Sequence, residues 1–286
     1  MRKLLALWAG VMLASAQSAS ATTLNVLPLG DSITVGQFGS GFTPGAYRSR
    51  LESAVLNRGT GIRFRGPWTN NAAPGQVSTQ HAGFSGHTIG EIRNRLPSIQ
   101  SHVLASDLCL LLAGTNDVNR DRGAYDALTD LEGIIYDLID IKPNLRVVVG
   151  TVPPRRDQTR SQVLREINFG IPVLVNNLRK KGLDIGLAYT AETFTNLQTQ
   201  MVDNLHPSAA GYDQMYQAWL PVMKETYTDI DGDGKLTLWD YMELSMAFDS
   251  IEGDWNWHAK ADIDKDGQVT IFDYIELSSE MSAPRR

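Results

Sequence analysis

LCLLLAGTND, residues 108–117, sets the reading of the whole chain. Its first six residues are all apolar. A strand with one wet face alternates apolar and polar residues; a strand covered on both faces need not. The run therefore reads as a central strand of a parallel sheet. Working outward from it, short apolar runs alternate with longer amphipathic ones. The candidate strands are 24–29, 62–65, 108–113, 146–152 and 183–189, and the candidate helices are 47–57, 89–103, 125–141, 162–181 and 209–226. Strands separated by helices imply crossovers that cover both faces of one sheet. Residues 22–226 thus read as an α/β domain of three layers, α/β/α, around a five-stranded parallel sheet. In such sheets ligands sit beyond the carboxyl ends of the strands. Ser32 lies just past the first strand and Asn116 just past the third, on the same rim.

The whole chain sets bounds on function. It has 286 residues, 42% of them apolar and 20% charged, with a net charge of −6. That composition suits a folded chain and gives no pull toward nucleic acid or an anionic membrane surface. The opening segment, MRKLLALWAGVMLASAQSASA, has a basic start, an apolar stretch too short to span a bilayer, and two A-x-A patterns. Residues 1–21 read as a cleaved secretory signal, which makes the protein extracellular. One cysteine, Cys109, lies inside the apolar run and reads as a small buried hydrophobe, with no disulfide.

After Tyr227 the composition changes. DIDGDGKLTLWDYMELS from Asp229 and DIDKDGQVTIFDYIELS from Asp262 are near copies, 33 residues apart. The first loop places carboxylates at positions 1, 3, 5 and 12 (Asp229, Asp231, Asp233, Asp240), with Gly234 at position 6. The second repeats this with Asp262, Asp264, Asp266, Gly267 and Asp273. Position 7, Lys235 or Gln268, would offer its backbone carbonyl. Calcium takes six to eight oxygens in flexible geometry, and a twelve-residue loop of this pattern supplies them. Carboxylates crowded this way repel one another without a cation. Each loop leads into one helix, 238–247 and 271–280. Residues 227–286 resemble the dockerin module of cellulosomal enzymes, an all-α unit with two structural calcium sites. The resemblance implies a cohesin-type scaffold protein as partner. Positions 10 and 11 hold Leu238-Trp239 and Ile271-Phe272, where many dockerins carry small polar residues. A calcium-stabilised pair of EF-hand-like loops is the plainer alternative.

Four stretches of the larger domain carry chemistry: GDSITVG from Gly30, FSGHTI from Phe84, GTND from Gly114 and DNLHPSAAGYDQM from Asp203. A serine hydroxyl is a poor nucleophile until a base takes its proton. His206 can be that base, held in a loop by Pro207. Asp203, three residues earlier, can reach the other ring nitrogen and complete a Ser-His-Asp triad. A carbonyl attacked by Ser32 becomes an oxyanion. The N–H groups of Ser32 and Gly86 and the amide of Asn116 can stabilise it.

With Ser32, Gly86, Asn116 and His206 in this order, the chain resembles the SGNH hydrolase family, and Asp203 matches that family's triad acid. The finer strings LPLGDSITVG, AYRSRL and GTNDV look like carbohydrate esterase family 3. The resemblance implies a flavodoxin-like fold, no metal in the catalytic step and removal of acyl groups, acetyl first among them, from plant polysaccharide such as xylan. A lysophospholipase- or thioesterase-type hydrolase of small acyl esters is the alternative within enzymes. A calcium-dependent glycan-binding protein without activity is the alternative outside them. Among the remaining residues, His87 stands where relatives carry tryptophan. Arg48 matches a family arginine and serves either a helix-surface salt bridge or the site. His81 lines the cleft or anchors its loop, while His102 and His258 read as surface residues. Arg155, Arg156 and Arg160 read as solvated.

Overall fold

The computed structural model describes residues 23–56, 61–223, 228–263 and 266–282. The signal segment and Asp264 lie outside the described residues, as does the boundary expected at 226–227. Five parallel strands form the sheet among the described residues: β1 (Thr23–Gly30), β2 (Gly61–Phe64), β3 (Leu108–Leu112), β4 (Arg146–Gly150) and β5 (Ile185–Ala188). Their order is β2-β1-β3-β4-β5. The chain goes from β1 to one side and then returns to the other, so the topological switch lies between β1 and β3. A two-residue strand, Ala82–Gly83, also pairs with β1 at Leu29 and Gly30, beyond the point where β2 stops. The sequence offers no signal for a strand that short.

The uniform apolar character of β3 has a direct cause. Cys109 and Leu111 enter the core on one face, under α6 (Ala124–Ile141) and α7 (Ser161–Lys180). Leu108, Leu110 and Leu112 enter the core on the other, under α2 (Ala46–Leu56) and α9 (Ala209–Val222). Val147 and Val149 of β4 and Val148 between them divide the same way. Alternation is present in space but carries no polarity change. Cys109 is buried and unpaired, as expected, and burial pushes its thiol well above the usual range.

One expected helix is two. The segment 89–103 forms α3 (Ile89–Arg93) and α4 (Leu96–Leu104), with Pro97 in the first turn of the second. Proline lacks the N–H that a continuous helix would need there. Three short helices follow strands or precede α9: α1 (Ser32–Val35), α5 (Thr115–Asn119) and α8 (Leu197–Gln200).

The C-terminal repeat has its own small core of Ile230, Leu244, Ala247, Ala261, Ile263, Val269 and Leu277. It carries α10 (Leu238–Ala247) and α11 (Ile271–Ser282). It is not all-α, because Ser250–Ile251 and Gln268–Val269 pair as an antiparallel ribbon. The first loop is seated against the larger domain. Arg179, wholly buried on α7, donates to the carbonyls of Ile230 (2.7 Å), Ile185 (2.5 Å) and Asp229. The Leu187 N–H of the edge strand β5 donates to the Gly232 carbonyl at 2.9 Å. Gly234 turns with φ +76° where a Cβ would lie 2.6 Å from Val222 Cγ1. His258 is buried rather than at the surface. Its Nε2 lies 3.2 Å from Asn176 Oδ1 of α7, and the Lys260 N–H donates to its Nδ1. Burial among cations pushes its imidazole down to about 3.

Candidate active site

The site begins with how a four-residue helix is held. Ser32 opens α1, and Asp31 caps it by accepting the Ile33 N–H at 2.9 Å. The last carbonyls of so short a helix have no partners within it. Buried side chains take them instead. Tyr212 Oη donates to Ile33 O (2.8 Å), Arg48 to Thr34 O (3.3 Å) and Val35 O (3.4 Å), and Asn71 to Val35 O (2.6 Å). Arg48 is thus neither a surface salt bridge nor a group lining the cavity. It is a wholly buried cation whose remaining donor meets Thr79 O at 2.9 Å, and burial pushes it down to about 10. His81 anchors its loop. It is buried, its Nε2 meets Asn70 Oδ1 at 3.0 Å, and its Nδ1 accepts the Gly83 N–H.

Three distant segments, around Gly86, Asn116 and His206, converge on Ser32. His206 Nε2 lies 2.9 Å from Ser32 Oγ, and His206 Nδ1 lies 2.9 Å from Asp203 Oδ2. Asp203 Oδ1 also accepts the N–H groups of Leu205 and His206, both at 2.8 Å. Partial burial pushes the Asp203 carboxyl up, but these bonds and the imidazole outweigh it and hold it below the ordinary range. An ionised Asp203 fixes the tautomer: the proton sits on Nδ1, and Nε2 keeps its lone pair toward Ser32. The loop is closed on itself by Val202 N–H to His206 O (2.9 Å) and Ser208 N–H to Gln200 O (2.8 Å).

A cavity of about 200 Å³ adjoins the serine, lined by Ser32, Gln37, Gly39, Ser85, Gly86, Thr115, Asn116, Leu205 and His206. Gly86 has φ +77°, a backbone region that L side chains rarely adopt. Among the described residues, the N–H groups of Ser32 and Gly86 have no protein acceptor. Asn116 donates from Nδ2 to His87 O at 2.9 Å, which fixes the amide between α5 and the Gly86 turn. Asp117, buried beside it, accepts the Ile89 N–H at 2.9 Å and so caps α3 from another element. The sequence carries no signal for this tie, because the Ile89 N–H lies 28 residues from Asp117. His87 turns away from the cavity: its Nδ1 meets Ser85 O and its Nε2 meets the Arg95 guanidinium at 3.3 Å. A larger groove of about 1030 Å³ on the α3–α6 side contains neither Ser32 nor His206. Its arginines are paired with its own carboxylates, Arg93 with Asp137 and Arg122 with Asp130.

Asp31 adds a pH effect. It is wholly buried, and burial pushes its carboxyl up to about 6. Its folded pKa therefore exceeds the unfolded value of about 3.9, and its contribution to stability is lost as pH rises from about 4 through 6. Asp31→Asn keeps an acceptor for the Ile33 N–H and never ionises. We expect this variant to gain about 2 kcal/mol over the wild type between pH 4 and pH 8, read from urea melts at each pH.

In the C-terminal repeat, one carboxylate oxygen each of Asp229, Asp231 and Asp233 lie within 4.8 Å of one another. Asp240 caps α10 and accepts the N–H groups of Ile230 (2.7 Å) and Thr237 (2.7 Å); only its remaining lone pairs could reach a cation. The second loop repeats these bonds, with Gly267 N–H on Asp262, Gln268 N–H on Asp266, and Ile263 and Thr270 N–H on Asp273. One oxygen decides whether the first cluster suits a metal. Asp229 is 1% exposed, and its Oδ1 has no hydrogen-bond partner among the described residues. Burial pushes Asp229 up to about 6 and, together with the neighbouring carboxylates, Asp231 up to about 7. A hard cation fits this donor set.

A "Multidomain esterase" of Ruminococcus flavefaciens is 25% identical over 241 residues, 75% of this chain; the chain spans only 30% of that relative's length. The structure of a Clostridium thermocellum family 3 carbohydrate esterase superposes with a TM-score of 0.61 at 26% identity, covering 69% of this chain and 93% of that one. A carbohydrate esterase family 3 structure from Talaromyces cellulolyticus shares the fold, with a TM-score of 0.59 at 21% identity over 69% of this chain and 95% of its own. The profile of the GDSL-like Lipase/Acylhydrolase family matches residues 29–214, from the end of β1 into α9. The chain belongs to that family of GDSL-like lipases and acylhydrolases.

Proposed function

We propose that this protein is a secreted serine esterase that removes acetyl groups from plant polysaccharide such as xylan. The observation that carries the reading is the unbroken chain Ser32 Oγ, His206, Asp203 at 2.9 Å per step beside a small cavity. His206 Nε2 takes the Ser32 proton as Oγ attacks the acyl carbonyl. The developing oxyanion meets the N–H groups of Ser32 and Gly86 and the second Nδ2 proton of Asn116. Asp203 stabilises the imidazolium, which then protonates the sugar oxygen as its bond to the acyl carbon breaks, so the sugar leaves as a free hydroxyl. Water then attacks the acyl carbon as it gives a proton to Nε2, the bond to Oγ breaks, the imidazolium returns the proton to Ser32 Oγ, and the acid leaves. Roughly 200 Å³ is less than the ~300 Å³ at which sites for drug-sized ligands begin. A short acyl group fits such a space. The two family 3 carbohydrate esterases support sugar as the alcohol. Export follows from residues 1–21.

In this reading the tail binds two calcium ions. Asp229, Asp231, Asp233, Asp240 and the Lys235 carbonyl hold one. Asp262, Asp264, Asp266, Asp273 and the Gln268 carbonyl hold the other. Bound calcium supplies charge neutralisation for buried carboxylates, and no catalytic step passes through it. The tail docks to a cohesin-type scaffold protein through outward apolar side chains, with Leu238 70% and Phe272 62% exposed. Because Arg179 and Leu187 hold the first loop, ion binding supports the larger domain as well. Calcium at a hundredfold excess over Kd contributes about 2.7 kcal/mol per site. Chelation removes both ions, about 5.4 kcal/mol in all, and is then expected to lower Tm by roughly 10–20 °C, read by calorimetry with and without EDTA.

The deciding experiment measures acid release from acetylated xylan, acetylated mannan, chitin-derived sugars and lysolipids side by side. Release of acetate from xylan is the expected result. Faster turnover of lysolipids would move the assignment to a lipid-type acylhydrolase, and no hydrolysis of any ester would leave only glycan binding.

A further inference from the structure

We propose that residues 153–160 form a strut that holds the two halves of the active site in register, with Arg156 as a positioning residue for Asp203 and His206. The segment PPRRDQTR leaves the carboxyl end of β4, between the rim of β3 and that of β5. Its basic residues are half-buried rather than solvated. On one side it grips α5, the helix that carries Asn116. Arg155 donates to Asn119 Oδ1 at 3.2 Å, and Arg160 bonds the Asn119 carbonyl and Asp121 Oδ2, the latter at 2.8 Å. Asp157 sets the Arg155 guanidinium with bonds of 3.0 and 2.9 Å.

On the other side, Arg156 grips the loop of the acid and base. Its backbone N–H donates to Asn204 O at 3.1 Å. Its Nη1 donates to Met201 O at 3.2 Å and reaches Val202 O at 3.5 Å. Asp203 therefore sits between two residues, Val202 and Asn204, whose carbonyls both face Arg156. Among the described residues no carboxylate lies within salt-bridge distance of this guanidinium. Its Nη1 serves two carbonyls of the loop, those of Met201 and Val202. The inference rests on the esterase reading of the site, because it assigns the strut to alignment of His206 with Ser32 and Asn116. A reacting group displaced by about 1 Å loses on the order of 10²-fold in rate.

The test compares wild type, Arg156→Ala, Arg156→Lys and the exposed control Arg165→Ala on p-nitrophenyl acetate, with melts for each. Arg156→Ala is expected to lose on the order of 10²-fold in kcat with KM changed less than about threefold. Its low-field proton resonance from the His206–Asp203 hydrogen bond should broaden or vanish, and added guanidinium ion should restore part of the activity. Arg156→Lys, whose single ammonium can meet the same carbonyls, should stay folded and recover part of the activity lost in Arg156→Ala, while Arg165→Ala should match wild type. Wild-type kcat and an unchanged resonance in Arg156→Ala would overturn the proposal. So would loss of the fold in both Arg156 variants, which would assign the residue to stability alone. An inactive wild type with its His206–Asp203 resonance intact is a separate failure, that of the esterase reading, and takes the proposal with it.

Discussion

Ser32→Ala is expected to cut hydrolysis of p-nitrophenyl acetate by at least about 10⁴-fold, with the fold and Tm unchanged. The size follows from the role. Without Oγ there is no atom to form the acyl-enzyme, and His206 has nothing to deprotonate but water. The oxyanion donors remain, so a residue of activity well above the uncatalysed rate is expected to persist. The fold should tolerate the change because Ser32 contributes one hydroxyl contact, to His206 Nε2, while the helix it opens is held by Asp31, Tyr212, Arg48 and Asn71. Burst kinetics on the wild type supply the complementary measurement, since an acyl-enzyme releases its alcohol before its acid. Turnover within tenfold of wild type in Ser32→Ala would remove the nucleophile from the assignment.

Asn116→Ala is expected to lower kcat by about 10² to 10³-fold while KM moves little. The amide has two protons. One is committed to His87 O at 2.9 Å, which leaves the other for the cavity that Asn116 lines. The loss falls on kcat because the bond to oxygen strengthens only as charge develops on it. The committed proton also makes the amide rigid, so its donation costs no reorganisation. Asn116→Asp is the sharper companion variant. It keeps the shape but offers a negative charge to a developing oxyanion, and it should be slower than the alanine variant. If both variants turn over like the wild type, the Asn116 amide does not serve the oxyanion.

Much of this architecture is legible in residues 108–117. Six apolar residues in a row demand cover on both faces, and β3 divides them between two cores. The placement of Ser32 and Asn116 on one rim follows from the same alternation of strands and helices. The Asp203–His206 pair is legible because a three-residue spacing in a loop lets a carboxylate reach Nδ1 without long-range help. Other features depend on what arrives from far along the chain. Arg156 reads as solvated because nothing near it in sequence is a partner, and its acceptors lie 45 to 48 residues away. Arg48 reads as either a helix-surface salt bridge or a group of the site because its acceptors, the carbonyls of Thr34, Val35 and Thr79, are not neighbours in sequence; only packing under α1 turns it inward. His258 belongs to a polar stretch, and its burial is imposed by Asn176 on another element. Ala82–Gly83 has no strand pattern at all and extends because β2 ends early on the same edge of β1.

The seat of the first acidic loop also bears on how copies of this chain meet. An open sheet ends in a strand whose outward backbone groups can template another chain. Among the outward groups of β5, the Ile185 carbonyl and the Leu187 N–H are filled from within, by Arg179 and Gly232. Strand-to-strand polymerisation along that margin is therefore blocked by the protein's own tail, and a crowd of such molecules can share a surface without zipping together there.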